Sequence, residues 1–180
     1  KYGGNWRRAF TGPADHENGN RIASADKILT FDYTGTKIIP SLARDWKISD
    51  DGKTTTIYLR KGAKWSDGKP FTANDFMFWY EDIYLNKNIV PTPFFEFQID
   101  GKDGKMRKID DYTVEFDLPK VNPIFLEHVQ PLFILDKEWS EKNKATKPQD
   151  FKNKEEAYTA LNANGTGPYI LVKREPGIKT

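Results

Sequence analysis

The chain has 180 residues, and its 28 Lys plus Arg stand against 26 Asp plus Glu for a formal charge of only +2, so it lacks the basic field that nucleic-acid binding draws on. It contains no Cys, which excludes disulfides, thiol nucleophiles and Cys-ligated metal. The longest apolar runs, such as Pro131-Leu132-Phe133-Ile134-Leu135, fall far short of the ~20 residues needed to cross a bilayer.

Residues 1 to 27 form a polar, turn-rich arm with Gly12-Pro13 and Asn18-Gly19-Asn20. From Ile28 the apolar residues begin a strand, and Ile38 and Ile39 are stopped by Pro40. A strand from Trp46 to Ile48, the turn Asp50-Asp51-Gly52 and a strand from Thr54 to Arg60 read as an antiparallel hairpin, because Asp-Gly supplies the positive φ that a tight turn needs. The turn Ser66-Asp67-Gly68-Lys69-Pro70 leads into Thr72-Ala73-Asn74-Asp75, which has capping-box spacing with Asp in place of the usual Glu. A helix is predicted from Thr72, with Phe76, Trp79, Tyr80 and Ile83 at i, i+3, i+4 and i+7 packing on the sheet.

Asn86 to Pro93 reads as a loop broken by Pro91 and Pro93, and Phe94, Phe95 and Phe97 open another apolar patch. Asp100-Gly101-Lys102-Asp103-Gly104 is a double turn. Tyr112, Val114, Phe116 and Leu118 alternate with polar residues, the period of a half-buried strand. Ile109 joins that face only if the Asp110-Asp111 turn intervenes. Ile124 to Val129 reads as a short helix with Phe125 and Val129 inward, and Pro131 to Leu135 as a short buried strand. Lys137 to Lys144 is a charged helical turn, and Asn153 to Asn162 a helix ended by Gly165-Thr166-Gly167-Pro168. Tyr169 to Lys173 is a final strand. Hairpins mixed with helices favour an α+β fold with a mixed, largely antiparallel sheet and packed helices.

Catalytic and metal patterns are poorly supported. His16 and His128 stand far apart and outside any HExxH-type spacing, and the Asp100 to Gly104 run lacks the ligand spacing and closing Glu of a calcium loop. Gly165-Thr166-Gly167-Pro168-Tyr169 enters a strand instead of opening a helix, so it reads as a device that re-aims the chain and not as a phosphate cradle. The acidic pairs Asp50-Asp51, Asp110-Asp111 and Glu155-Glu156 are adjacent, whereas glycosidase carboxylates face each other across a cleft. Among the aromatics, Trp46, Trp65, Phe76, Trp79, Tyr112 and Phe116 lie at periodic positions and are predicted to be core.

Several blocks in fixed order carry a resemblance: Ile39-Pro40-Ser41-Leu42-Ala43 with Trp46, Ser49-Asp50-Asp51-Gly52-Lys53, Leu59-Arg60-Lys61-Gly62, Lys64-Trp65-Ser66-Asp67-Gly68, Phe71-Thr72-Ala73-Asn74-Asp75-Phe76, Asp110-Asp111-Tyr112-Thr113-Val114 and Asn164-Gly165-Thr166-Gly167-Pro168-Tyr169. From about Ile28 to about Pro176 the chain resembles the N-terminal lobe of the family 5 extracellular solute-binding proteins, the peptide, nickel and sugar receptors of ABC importers. The resemblance implies part of a two-lobed, type II periplasmic-binding-protein fold. Residues 1–35 would be an arm and lobe I segment, 36–163 an inserted α+β domain, and 164–180 the return to lobe I, with the chain a piece of a larger receptor.

The resemblance also implies binding of a solute, a peptide or an oligosaccharide, without catalysis and without a cofactor. It places Asp26, Lys27, Phe94 and Gln130 where family members reach the ligand cleft. The implied partners are the solute and the ABC permease, with no nucleic acid, and the receptor would be a monomer. The implied location is periplasmic or extracellular, with a membrane-associated, lipoprotein-like full-length protein, and Lys1-Tyr2-Gly3-Gly4 reads as the start of a mature chain. The rival reading is a small carbohydrate-active or hydrolytic enzyme using clustered acids. An interaction module that meets the permease or another partner is a third.

Overall fold

The computed structural model describes residues 27–95, 97–129 and 165–166. The readings made above for the N-terminal arm, for Pro131 to Leu135, for Lys137 to Lys144, for Asn153 to Asn162 and for Tyr169 to Lys173 lie outside the described residues. Strands β1 (Leu29–Phe31) and β2 (Ile38–Pro40) pair antiparallel with Leu29 opposite Pro40. Asp32 organises the loop between them. Its carboxylate accepts from the amides of Thr36 at 2.9 Å and Lys37 at 3.1 Å and from the Thr34 hydroxyl at 2.7 Å.

The main sheet contains β3 (Ala43–Ile48), β4 (Thr54–Leu59), β7 (Lys105–Asp110) and β8 (Thr113–Asp117), all antiparallel in the order β3-β4-β8-β7. The predicted Asp-Gly turn joins β3 to β4, with Gly52 at φ 70°. The first strand is longer than predicted, because a register shift between Ala43 and Asp45 lets pairing continue past the break in alternation. A two-residue hairpin links β5 (Gln98–Ile99) and β6 (Lys102–Asp103), with Asp100 at φ 53° and Gly101 at φ 71°. Two consecutive left-handed residues are what a primed turn requires, so the turn reading of this acidic run holds.

Thr72 caps the helix as expected. Its hydroxyl accepts from the Asn74 amide at 3.2 Å, and the Asp75 carboxylate accepts from the Thr72 amide at 2.8 Å. The single regular helix expected beyond it is corrected by the structure: α1 (Ala73–Phe78) gives way to a π-turn over Trp79–Tyr84. The amide of Leu85 donates to the carbonyl of Tyr80 at 3.0 Å, an i to i+5 bond. Widening the turn brings residues five apart into register, and Trp79 stacks on Tyr84 with centroids 5.5 Å apart. The buried face is therefore Phe76, Trp79, Ile83 and Tyr84, joined by Phe78, while Tyr80 is only half-buried.

The α1 helix packs on β7 and β8, and its buried residues share one core with Met106, Val114, Phe116, Ile57 and Leu59 of the sheet. Helix α2 (Phe125–Val129) turns Phe125 and Val129 inward as its pattern predicted. Phe97 joins the layers, with Phe116 at 5.8 Å and Phe125 at 5.7 Å. Two expected core positions are only half-buried against the core: Trp46, on edge strand β3, and Tyr112, at the β7–β8 turn. Ile109, placed conditionally on the inner face, is 54% exposed beside the register shift between Lys108 and Asp110.

Candidate functional site

Two of the four ligand-facing candidates, Asp26 and Gln130, lie outside the described residues. Lys27 is exposed, and its carbonyl accepts from the Leu42 amide at 3.1 Å. The next carbonyl, Ile28, accepts from Ala43 at 2.9 Å, so the backbone of Lys27 is fixed along the start of β3 while its side chain faces solvent. Phe94 is half-buried and packs on Tyr84, centroids 5.2 Å apart. Among the described residues no hydrogen bond or ring contact joins Lys27 to Phe94.

Sequence reasoning missed the partners that set Phe94. The π-turn delivers Tyr84 into the space beneath it, where Tyr84 also touches Phe97 at 5.3 Å and Tyr80 at 5.8 Å. The neighbouring Phe95, 71% exposed, meets the His128 ring edge-on at 5.2 Å. This contact brings the Phe94 segment against the end of α2, two residues before Gln130 in the chain. The result is a ledge of Phe94, Phe95 and His128 over a packed aromatic floor, chemically suited to an apolar or stacking contact.

A second feature stands at the turn before α1. The Trp65 indole N–H donates to the Asp75 carboxylate at 3.3 Å, and the same oxygen caps the Thr72 amide. Asp75 is 5% exposed. The Ser66 amide and hydroxyl both donate to the carbonyl of Gly165, at 2.8 Å and 2.7 Å. This carbonyl is thus occupied by protein donors, in keeping with a structural role for Gly165, while Gly167, Pro168 and Tyr169 of the same run lie outside the described residues.

The perturbed titrating groups serve local structure. The carboxyls of Asp32, Asp51 and Asp110 are held below their ordinary value, Asp32 chiefly by the Thr34 hydroxyl, Asp51 by the Ser49 hydroxyl and Asp110 by the Tyr112 amide. Burial pushes the Tyr80 phenol up. Arg107 is raised by its hydrogen bond to Glu115, across strands β7 and β8. Among the described residues no group of three or more His, Cys, Asp or Glu is placed to hold a metal ion, and no helix is long and apolar enough to cross a membrane.

Comparison with known proteins gives this geometry a context. The family model for bacterial extracellular solute-binding proteins, family 5 Middle, matches residues 37–180. The periplasmic alpha-galactoside-binding protein of Rhizobium meliloti strain 1021 is 41% identical over 85 residues, covering 47% of this chain and 12% of that protein. Di/tripeptide-binding protein 3 of Pseudomonas aeruginosa strain UCBPP-PA14 is 34% identical over 163 residues, covering 81% of this chain and 29% of its own length. The chain therefore spans less than a third of either relative. The structure of the periplasmic binding protein MelB of Agrobacterium fabrum C58 in complex with stachyose superposes with a TM-score of 0.64 at 29% identity, over 86% of this chain and 25% of that one.

Proposed function

The chain belongs to the bacterial extracellular solute-binding proteins, family 5, and from that membership we propose that it forms part of a receptor that delivers a peptide or an oligosaccharide to an ABC importer. The observation that carries the reading is the family match across residues 37–180. The two solute classes enter because one relative is named for alpha-galactosides and the other for di- and tripeptides.

The mechanism is capture without chemistry. Two lobes close on the solute, water leaves the cleft, and the closed form is what the permease engages, a population shift driven by the solute's preference for the closed state. This chain supplies one wall. The family resemblance is what divides it into a lobe segment (1–35), an inserted unit (36–163) and a return (164–180), and the β1–β2 ladder and the Ser66 bonds to Gly165 tie these segments together across their boundaries. Asp26, Lys27, Phe94 and Gln130 are the residues assigned to the cleft. The exposed Lys27 and the Phe94 ledge support that assignment by offering a charge and an aromatic surface. The receptor works as a monomer at the membrane, outside the cytoplasm.

A thermal-shift screen of the full-length protein against di- and tripeptides and α-galactosides tests the reading. One class should raise the melting temperature in a concentration-dependent way, as any ligand selective for the native state must. A flat response to both classes would refute it.

A further inference from the structure

The turn Trp65–Pro70 is rooted in the core at one end and holds another part of the chain at the other. Its base is closed by the Lys64–Pro70 bridge and by the Trp65 amide donating to the Lys69 carbonyl at 2.9 Å. Gly68, at φ 88°, makes the reversal possible. Trp65 is 5% exposed, meets Phe71 edge-on at 5.3 Å, and directs its indole N–H to buried Asp75. One residue further, Ser66 sends two donors to a single acceptor, the buried carbonyl of Gly165, 99 positions away. We propose that Ser66 is a clasp for the segment at Gly165, and that Asp75 is the positioning residue that sets it by fixing Trp65.

The chemistry of each member fits its part. A serine can add a hydroxyl donor beside its own amide at almost no steric cost, and two donors use both lone pairs of the carbonyl. Asp75 accepts from two unlike donors, a backbone amide at the helix start and an indole in the turn. It thereby makes helix capping and clasp position a single event. Both donors share one carboxylate oxygen, so an Ala at 75 removes capping and indole contact at once, whereas an Asn can keep both through its amide oxygen.

Hydrogen exchange by mass spectrometry on the full chain reads this directly, because the proposal predicts local opening apart from global unfolding. Ser66→Ala should speed exchange in the peptides containing Ser66 and Gly165–Thr166 by about two- to tenfold, the range for loss of one hydrogen bond. Peptides of β4 and β8 should not change. Ser66→Thr, which keeps the hydroxyl, should restore slow exchange. Asp75→Ala should speed exchange at the turn and at Gly165–Thr166 as well as at the helix start. Unchanged exchange at Gly165–Thr166 in Ser66→Ala, or an Asp75→Ala effect confined to the helix start, would overturn the proposal. If Asp75→Ala does not fold, the Ser66 pair decides the clasp alone.

Discussion

Replacing Trp79 by Ala probes the seam on which the α1 helix, the π-turn and the sheet depend. The side chain is 5% exposed, stacks on Tyr84 at 5.5 Å and leans on Phe97 at 6.1 Å. Truncating a buried Trp removes its transfer free energy and leaves a cavity, together about 3 to 5 kcal/mol. The Tyr84 ring, which the π register holds against the indole, loses its stacking partner, placing the loss in the upper half of that range. For a chain of this size about 4 kcal/mol corresponds to a fall in Tm of roughly 8 to 16 °C. Urea unfolding followed by circular dichroism should show a lower midpoint with an unchanged slope. Phe95→Ala, at a 71% exposed position, should stay within about 0.5 kcal/mol of the parent. A Trp79→Ala loss below about 1 kcal/mol would show that the π-turn does not deliver Trp79 into the core, and the helix-on-sheet account would fail with it.

Three further outcomes follow from the geometry. Thr72→Ala should cost about 0.5 to 2 kcal/mol in the same unfolding assay, since the Asn74 amide loses its side-chain acceptor; unchanged stability would mean that the cap carries nothing. Gly104→Ala should cost about 1 to 3 kcal/mol, because an added Cβ would sit 3.0 Å from the Phe97 carbonyl oxygen and 3.1 Å from that of Asp117, and backbone on both sides cannot swing away; a neutral effect would refute the close approach of Gly104 to Phe97 and β8. Asp32, whose carboxyl is held below its ordinary value of 3.8, stabilises the folded state through its ionised form. Its contribution is therefore present above pH 3.8 and lost as pH falls through the lower folded value. The difference in Tm between parent and Asp32→Asn should be steady near neutral pH and narrow below pH 3.8, and a difference independent of pH would contradict the loop-bracing role.

What the chain declares and what it hides separate along physical lines. Gly52, Asp100-Gly101 and the Thr72–Asp75 box act over three or four residues, so their turns and cap are readable from local chemistry. The alternation in β4 and β8 is readable because one face of each is buried. Strand β7 is not, since Lys-Met-Arg-Lys-Ile-Asp at a sheet edge buries only Met106, while Arg107 pairs with β8 and Lys108 with Asp111 and Asn74. The π-turn also escapes a 3.6-residue reading. Its register is chosen by Tyr84 meeting Trp79, Phe94 and Phe97, contacts that span loop and sheet. For the site, Lys27 and Phe94 came from family resemblance, whereas the Phe95–His128 contact and the Ser66 clasp join segments far apart in sequence and carry no local signal.

Calorimetry comparing the full-length receptor with these 180 residues alone is the measurement that tests the central claim most directly. A solute closed between two lobes loses about half its contacts when one wall stands alone, and each ~1.4 kcal/mol lost weakens binding tenfold. The full-length protein should bind one class, peptides or oligosaccharides, and return it chemically unchanged, while the 180-residue chain should bind at least roughly a thousandfold more weakly. Submicromolar binding by the 180 residues alone, or conversion of the solute by the full-length protein, would contradict capture between two lobes without chemistry.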